Sequence, residues 1–484
     1  MKIFIKKTKG KMSQKKVLIT NFTSLSIVQI AGYVLPLVYL PYLVRIIGPD
    51  KFGVIAFAQA IVIYFDLITN LGTNLYAPRE IAISKGDNIK ISNLASNILF
   101  LKIIFLLLAI FAYSVVLYIV PKFRVEKILF MFTGGFLVTS ALSPVWFFQG
   151  IEKMANIAIA NLLSRVLGVF LIFTVIRRTS DYIYVPLINV LAQILGLFFM
   201  YYIIFTKEKI KIVRPNISLI KKIAKESLPL FISNISISIY TGINTVILGF
   251  LTNNTIVGYY SAAEKIVRAG LSIMGQFGVV FYPHISKMIS ISKEKAIASI
   301  KKAFVVTMLF AIPATIFIFF NADEIVRLIF GSKFSLSVVP MKILSFLFII
   351  IGLSNVFGMQ ILLPFGKRKE LMKPIITAGI VNLALIFYLV PILKQNGAAI
   401  AWVGSEIWVT SWMFFEAKKL IMSLVSQKIL LNFISLTICL IASIFITNYI
   451  GVNLILTGVI YVFVYGFLLI ILKLIDIKNK TVFI

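Results

Sequence analysis

Three ionisable side chains lie close together inside an apolar stretch of the sequence. Within the apolar run 257–282, the segment AAEKIVRAG (262–270) contains Glu264, Lys265 and Arg268. A charged side chain at the centre of a membrane-spanning helix costs about 2.5–3.5 kcal/mol on insertion scales. Such charges are retained where they pair with one another or face a water-filled cavity. This segment is therefore the first candidate for a functional site.

The chain as a whole has the composition of a membrane protein. Of its 484 residues, 60% are hydrophobic and only 13% are charged, whereas soluble domains are about a quarter charged. The formal net charge of +31 would indicate nucleic-acid binding in a soluble protein, but here most basic residues fall on one side of the predicted helices. One Cys and one His exclude an intrachain disulfide and disfavour a His/Cys metal site. We therefore predict no metal and no nucleic-acid partner.

Apolar runs of about 20 residues, the length that crosses a bilayer, predict an all-α polytopic membrane protein with fourteen transmembrane helices. The distribution of basic residues places both termini in the cytoplasm, and the first helix is predicted to be retained and not cleaved as a signal peptide. The predicted divisions are a basic cytoplasmic tail (1–16), a six-helix lobe (17–205), a basic cytoplasmic linker (206–226), a second six-helix lobe (227–419), a helix pair (428–473) and a cytoplasmic tail (474–484).

The two predicted lobes contain matching positions. Gly53 and Gly258 are separated by 205 residues, and Pro78 and Pro283 are separated by the same interval. Because each lobe has six helices, the two repeats would share one orientation and be related by a pseudo-twofold axis along the membrane normal. Parallel repeats of this kind are a transporter architecture, with the substrate site between the halves.

Four more charged residues inside predicted helices complete the candidate site. A polar, net-cationic cavity near the membrane midplane suits an anionic substrate, above all a diphosphate on a lipid head group. Lys supplies a mobile point charge, and the planar fork of Arg matches phosphate oxygens. The predicted substrate-binding cations are Lys265, Arg268, Arg165 and Lys102, and the predicted sites of ion coupling or charge pairing are Asp66, Glu264 and Glu406.

These residues also have structural explanations. Glu264 and Arg268 are four residues apart, so they can form an ion pair on one helix face. Lys102 can extend its ammonium group toward the membrane surface. Asp66 and Glu406 could bind a coupling H+ or Na+, or they could be structural. The sequence leaves both interpretations open.

The sequence also limits which activities are available. No G-x-x-x-x-G-K-[ST] motif is present, which excludes a nucleotide-hydrolysing site of that type, and no long extramembrane loop could hold a catalytic domain. We therefore predict a transporter and not an enzyme. It would have no cofactor and would be driven by an H+ or Na+ gradient or by the substrate's own concentration difference. Trp146 and Trp402 could stack on sugar rings, but they are predicted to anchor helices at the membrane–water interface.

Five sequence stretches within the first twelve predicted helices occur in the order expected for a known protein family. They are YLPYLVRIIGPDKFGVIAFAQAI (39–61), APREIA (77–82), SPVWFFQGIEKM (143–154), GYYSAAEKIV (258–267) and QILLPFGKRKE (360–370). Together they resemble the bacterial polysaccharide-export and O-antigen repeat-unit flippases of the multidrug/oligosaccharidyl-lipid/polysaccharide exporter superfamily. The stretch W-F-F-Q-G-x-E-x-M is the most specific of the five.

This resemblance implies a V-shaped, two-lobed bundle in the cell (inner) membrane, with a central cavity that opens alternately to either side. The implied substrate is an undecaprenyl-diphosphate-linked oligosaccharide, moved from the cytoplasmic to the outer leaflet for O-antigen or a similar surface polysaccharide. The implied partners are this lipid-linked oligosaccharide, the bilayer, and a glycan polymerase with other assembly proteins. By position, Lys265 and Arg268 would be cavity cations.

Two other functions stay open at this point. An ion-coupled multidrug exporter of the same superfamily should favour carboxylates in a pocket for lipophilic cations, whereas the predicted interior carries excess positive charge. A membrane glycan polymerase should carry a large outer loop with catalytic residues. The longest predicted outer segment (321–337) is short and partly apolar, as in an interfacial helix.

Overall fold

The computed structural model describes residues 38–421 and 427–472, together with two short strands near the C-terminus. The predicted N-terminal tail (1–16), most of the first predicted helix, and most of the predicted C-terminal tail (474–484) lie outside the described residues. The chain divides into two compact units, Met1–Ser238 (unit 1) and Ile239–Ile484 (unit 2). The predicted divisions into tails, lobes and linker stay predictions.

Unit 1 consists of helices joined by short turns. They are α1 (38–70), α2 (Thr73–Ile83), α3 (Asn88–Ile119), α4 (Pro121–Arg124), α5 (Lys127–Leu142), α6 (Val145–Gly150), α7 (Met154–Val175) and α8 (Tyr184–Thr206), with a 3₁₀ turn at Thr179–Ile183. Helix α9 (Ile217–Leu251) begins in unit 1 and ends in unit 2. Because α8 packs against both α5 and α7, these three helices surround a common space.

Unit 2 contains longer helices. They are α10 (Asn254–Ile289), α11 (Lys293–Ile329), α12 (Val338–Ser345), α13 (Leu347–Asn355), α14 (Arg368–Lys418), α15 (Gln427–Tyr449) and α16 (Leu454–Ile471), with a 3₁₀ turn at Ser332–Ser337 and a π-helix at Val356–Leu362. Helix α10 packs against α11, α12, α13 and α14, while α15 and α16 pair with each other and contact α11. Strands β1 (Ile475–Asp476) and β2 (Thr481–Val482) pair antiparallel, with Ile475 opposite Val482.

Eleven helical runs within the described residues are long and apolar enough to cross a membrane, which confirms the all-α polytopic fold. Two of these runs contain a backbone break where the sequence predicts a loop between two helices. Gly48 has a φ of 72° in the run Val38–Ile83, and Lys394 has a φ of 52° in the run Arg368–Lys418. The count of fourteen helices and the internal repeat stay predictions.

Polar side chains fix where several helices begin. The Asp87 carboxylate accepts a 3.0 Å hydrogen bond from the backbone N–H of Lys90 at the start of α3, and this bond lowers the pKa of the exposed Asp87 carboxyl. The Asn253 side chain likewise accepts from the N–H of Ile256, at 3.0 Å, at the start of α10. Both are N-cap interactions that satisfy otherwise unpaired backbone donors. Because α10 begins here, its charged residues fall about three to four turns inside the helix.

The W-F-F-Q-G sequence forms the short helix α6, which packs closely against α2. A Cβ atom on Gly150 would lie 2.6 Å from the Cβ of Ile81, so the glycine is what allows this approach. Just beyond α6, Lys153 forms a 2.6 Å ion pair with Glu208. The motif therefore ties α6 to α2 and to the segment that follows α8.

That segment, residues 207–216, is attached to α3 by hydrogen bonds from its backbone N–H groups to side chains of the helix. The N–H of Lys211 donates to Ser92 Oγ at 3.1 Å, and the N–H of Val213 donates to Ser96 Oγ at 3.0 Å. A third bond runs from the N–H of Asn216 to Asn97 Oδ1 at 2.7 Å. Ser92, Ser96 and Asn97 lie on one face of α3. These side chains satisfy backbone donors of the connection that no regular secondary structure pairs.

Candidate functional site

A cavity of about 430 Å³ lies inside unit 1, between α5, α7 and α8. This volume is in the range of pockets that bind small molecules. Its wall is unusually polar for the interior of a membrane bundle. The polar lining includes Thr139, Ser140, Asn161, Arg165, Asn189 and Gln193.

The spacing of the polar residues explains why they face the same space. Asn161 and Arg165 are four residues apart on α7, and Asn189 and Gln193 are four residues apart on α8, so each pair lies on one helix face. Small residues bring the two helices together. A Cβ on Gly196 would lie 2.4 Å from Ser164 Oγ and 3.0 Å from the carbonyl oxygen of Ala160.

Two side chains of the wall are held by defined interactions. Thr139 Oγ1 lies 2.8 Å from Gln193 Oε1 and 3.0 Å from the carbonyl oxygen of Phe136, and it thus connects the Gln193 amide to α5. Arg165 is half-buried and interacts electrostatically with Tyr39, another lining residue. The cavity thus presents one cation among neutral amide and hydroxyl groups.

Lys102 lies behind this wall. Its Nζ donates to Asn74 Oδ1 at 3.3 Å and to the carbonyl oxygen of Ser140, a lining residue, at 3.4 Å. Only 1% of its surface is exposed, so its ammonium group does not reach the membrane surface as the snorkelling alternative requires. A buried ammonium needs polar or charged neighbours, and these carbonyl groups supply them.

Asp66 belongs to the same network. The Asn70 Nδ2 group donates to Asp66 Oδ1 at 2.9 Å and to Ser140 Oγ at 3.2 Å, and the Asp66 carboxylate attracts the Lys102 ammonium. Asp66 and Lys102 therefore belong to one polar network that reaches the cavity wall through Ser140. The roles predicted for Asp66, ion coupling or charge pairing, stay predictions.

A second charged cluster lies in unit 2. The Arg268 Nε and Nη2 atoms are both 2.8 Å from Glu264 Oε1, so both donate to one oxygen. The other oxygen, Glu264 Oε2, accepts a 3.0 Å hydrogen bond from Thr245 Oγ1. The predicted Glu264–Arg268 ion pair is present.

Helix α14 completes this cluster. The Arg268 guanidinium lies over the ring of Trp402, 4.4 Å from its centroid, and is attracted by Glu406, one turn farther along α14. Trp402 and Glu406 are only 2% and 5% exposed. The prediction that Trp402 anchors its helix at the lipid interface is therefore wrong, because its ring is buried against a cation.

Lys265 differs from its neighbours on α10, since its side chain is exposed while Glu264 is largely buried. With Lys265 included, the unit 2 cluster has two cations and two carboxylates and is formally neutral. The predicted residues of unit 1 are two cations and one carboxylate. The net-cationic cavity stays a prediction.

The structure groups the seven predicted residues by unit. Unit 1 holds Arg165, Lys102 and Asp66, and unit 2 holds Lys265, Arg268, Glu264 and Glu406. Their assignment to substrate binding or ion coupling stays a prediction. Within the ranges that the structure describes, no group of three or more His, Cys, Asp or Glu residues could hold a metal ion.

Sequence reasoning missed the amides of α8 and the role of Trp402. A signal for the amides was present, because Asn189, Gln193 and Gly196 follow the helical spacing i, i+4, i+7 inside an apolar run, which marks one polar face. For Trp402 no comparable signal exists, since its cation partner is more than one hundred residues away in sequence.

Comparison with known proteins gives consistent results. A family described as "Polysaccharide biosynthesis protein" matches residues 18–289. The chain is 30% identical over 393 residues to a protein of Escherichia coli (strain K12) named "Putative O-antigen transporter", covering 81% of this chain and 95% of that protein. Among solved structures, a lipid II flippase MurJ in an inward closed conformation superposes with a TM-score of 0.74 at 16% identity, covering 94% of this chain and 98% of that one. An inward-facing multidrug resistance MATE family transporter of the MOP superfamily gives 0.64 at 15% identity, covering 83% and 99%. At these identities the two structures indicate a shared fold.

Proposed function

Because the chain belongs to the polysaccharide biosynthesis protein family, we propose that it is a flippase for a lipid-linked oligosaccharide. It carries an undecaprenyl-diphosphate-linked repeat unit from the cytoplasmic to the outer leaflet of the cell (inner) membrane. The product serves a surface polysaccharide such as O-antigen. The relatives with named activities are transporters and a flippase, and the chain is accordingly a transporter and not an enzyme.

The observation that carries this proposal is the polar cavity inside a bundle of membrane-spanning helices. A bundle of membrane-spanning helices does not need amides, hydroxyls and an arginine in its interior for stability. Each polar group left unsatisfied there is costly. A hydrophilic head group that must cross the bilayer needs such a lining. The cavity of unit 1 supplies it with Arg165 as its cation.

The charged residues divide into two groups under this proposal. Arg165 lines the cavity of unit 1 and contacts the diphosphate during transport. Lys265, which is exposed on α10 of unit 2, stays a proposed substrate-binding cation. Lys102 and Arg268 act through their protein partners, which hold them in place. Transport proceeds by alternating access with both termini in the cytoplasm, and coupling to H+ or Na+ through Asp66, Glu264 or Glu406 stays part of the proposal.

The test is export of surface glycan in a strain that lacks this protein. The strain is complemented with wild type, Arg165→Ala or Arg165→Lys, and with Arg177→Ala as a matched control at an exposed position just after α7. A charge-assisted hydrogen bond to phosphate contributes about 1.5–3 kcal/mol, so Arg165→Ala should lower export about ten- to hundredfold at normal protein level. Arg177→Ala should export normally.

The same assay separates the alternatives. Without a flippase, lipid-linked repeat units accumulate on the cytoplasmic leaflet, whereas without a polymerase single repeat units reach the surface. Wild type that changes no surface glycan would overturn the flippase proposal. Restored resistance to a lipophilic cation, with no change in glycan, would identify a multidrug exporter.

A further inference from the structure

The cavity of unit 1 holds more neutral hydrogen-bonding groups than an anion needs. Asn161 extends from α7, and Asn189 and Gln193 extend from α8. A diphosphate has only acceptor oxygens, and cations serve it best. Each amide offers both a donor NH2 group and an acceptor oxygen. The wall is therefore built for a ligand that both donates and accepts hydrogen bonds.

Sugar hydroxyl groups have this dual character. The three amides are half-buried and line one cavity, and ring hydroxyls can satisfy their donors and acceptors together. The contact between Thr139 Oγ1 and Gln193 Oε1, at 2.8 Å, holds the Gln193 amide at the cavity wall. A preorganised amide gives orientation and specificity in a small-molecule pocket.

A second space adjoins this one. A smaller cavity of about 230 Å³ shares Phe136, Asn189 and Gln193 with the first. It adds mostly apolar residues, such as Val62 and Pro186, together with Gln59 and Thr133. The amides of α8 thus stand where a polar space meets an apolar one. A ligand with hydroxyl groups on one side and an apolar substituent on the other fits this boundary.

We infer that the cavity of unit 1 is a binding site for a pyranosyl phosphate, with Arg165 on the phosphate and Asn161, Asn189 and Gln193 on the ring hydroxyls. A pyranosyl phosphate is the part of the proposed substrate where sugar and diphosphate meet, so the inference rests on the proposed function. It assigns selection of the first sugar to unit 1. Asn189 and Gln193 then determine which sugar is accepted.

The chain has one cysteine, Cys439, which makes a labelling experiment straightforward. In a Cys439→Ser background, Ser143→Cys or Val169→Cys places a thiol in the cavity wall. Ser180→Cys places one in an exposed turn of the same unit as a control. The full-length protein is purified in detergent, and the rate of reaction with a water-soluble maleimide is measured.

The probes are the 1-phosphates of glucose, galactose and N-acetylglucosamine, each compared with the free sugar and with inorganic phosphate. At a probe concentration about ten times Kd, mass action leaves about a tenth of the sites open, so cavity labelling should slow about tenfold. Ser180→Cys should react at an unchanged rate. Protection by a sugar phosphate should exceed that by either of its parts.

Gln193→Leu tests the amide directly. Loss of one hydrogen bond should weaken sugar phosphate protection about two- to tenfold and leave protection by inorganic phosphate unchanged. Gln149→Leu is the matched control, because Gln149 is exposed on α6 of the same unit and lies outside the lining of both cavities. Arg165→Ala should instead lose protection by inorganic phosphate, because the variant lacks the cation that contacts the phosphate group.

The inference is overturned if no sugar phosphate protects either cavity thiol more than inorganic phosphate does. It is also overturned if Gln193→Leu changes protection no more than Gln149→Leu. Protection by sugar phosphates in a protein that restores no surface glycan would contradict the flippase proposal but keep the site. Restored surface glycan without protection by sugar phosphates would overturn the binding-site inference but keep the flippase proposal. To distinguish lipid-linked from free sugar phosphate as the ligand, cavity labelling is repeated in cells that cannot attach the first sugar to its lipid. Such cells lack only the lipid-linked form, so loss of protection there identifies that form as the ligand.

Discussion

In unit 2 the Arg268 guanidinium is bonded to Glu264 at 2.8 Å and lies 4.4 Å from the centre of the Trp402 ring, whereas in unit 1 Arg165 lines a cavity of about 430 Å³. Both arginines lie inside membrane-spanning helices. The first is matched by carboxylates within its own cluster, and the second faces amides and hydroxyls. A charge inside a membrane helix therefore does not by itself mark a binding site. What surrounds the charge decides whether it stabilises the protein or serves a ligand.

The largest effect on stability and export is expected from a substitution at the closest contact between α7 and α8, in the wall of the unit 1 cavity. In Gly196→Val, the new side chain collides with Ser164 and the backbone of Ala160, and such overpacking costs about 1–3 kcal/mol. We expect a lower thermal unfolding temperature in detergent and loss of glycan export. In the control Gly168→Ala, the new Cβ lies an ordinary 3.5 Å from the Cβ of Ala192 and should be tolerated. Normal export by Gly196→Val would show that the α7–α8 contact does not shape the cavity.

A smaller effect on stability is expected from Glu264→Gln in unit 2. The variant removes the carboxylate from Arg268, and breaking a buried pair costs about 3–5 kcal/mol. Arg268 is 41% exposed, so water offsets part of this loss and about 1–2 kcal/mol is expected. Thermal unfolding of the purified protein measures it.

The matched control is Asp323→Asn, which breaks an ion pair of the same i, i+4 spacing with Arg327. Both partners of that pair are well exposed, at 60% and 76%, and surface pairs contribute about 0–1 kcal/mol. Equal losses in the two variants would mean that the Glu264–Arg268 pair is no more than a surface interaction. The contrast between the units would then disappear.

The smallest effect is expected from Arg268→Lys. The variant keeps the charge next to Glu264 but loses the planar group that stacks on Trp402, at a cost of about 0.5–1 kcal/mol. Export should stay near the wild-type level, with Arg327→Lys as the control at an exposed position. If Arg268→Lys exports no glycan while unfolding at the wild-type temperature, Arg268 contacts the substrate and the comparison between units fails.

Sequence reasoning predicted the helical membrane fold because apolar length and the exclusion of charge are local properties of the chain. The Glu264–Arg268 pair was predictable for the same reason, since an i, i+4 spacing brings the two side chains together on any helix. The Trp402–Arg268 contact was not, because it depends on how α14 packs against α10. Lys102 shows the same limit: its position in a helix allowed snorkelling, and only packing shows that it is buried.

The cavity of unit 1 falls between these cases. Each of its helices carries a polar face, and Arg165 on α7 was predicted because it is a charge inside an apolar run. That α8 presents Asn189 and Gln193 to the same space depends on the close approach at Gly196. A glycine in an apolar helix signals a close contact but does not say with which helix.

The attachment of residues 207–216 to α3 has a consequence for work with this protein. Three backbone N–H groups of this segment rely on side chains of α3 at fixed positions, so an added or deleted residue shifts every donor away from its acceptor. A protease site or fluorescent tag inserted there would disrupt unit 1 as well as the connection it interrupts. Lys85 and Gly86 are exposed in the turn before α3, and Gly86 has a φ of 100°. An insertion between these two residues leaves the Asp87 cap next to α3 and is the better choice.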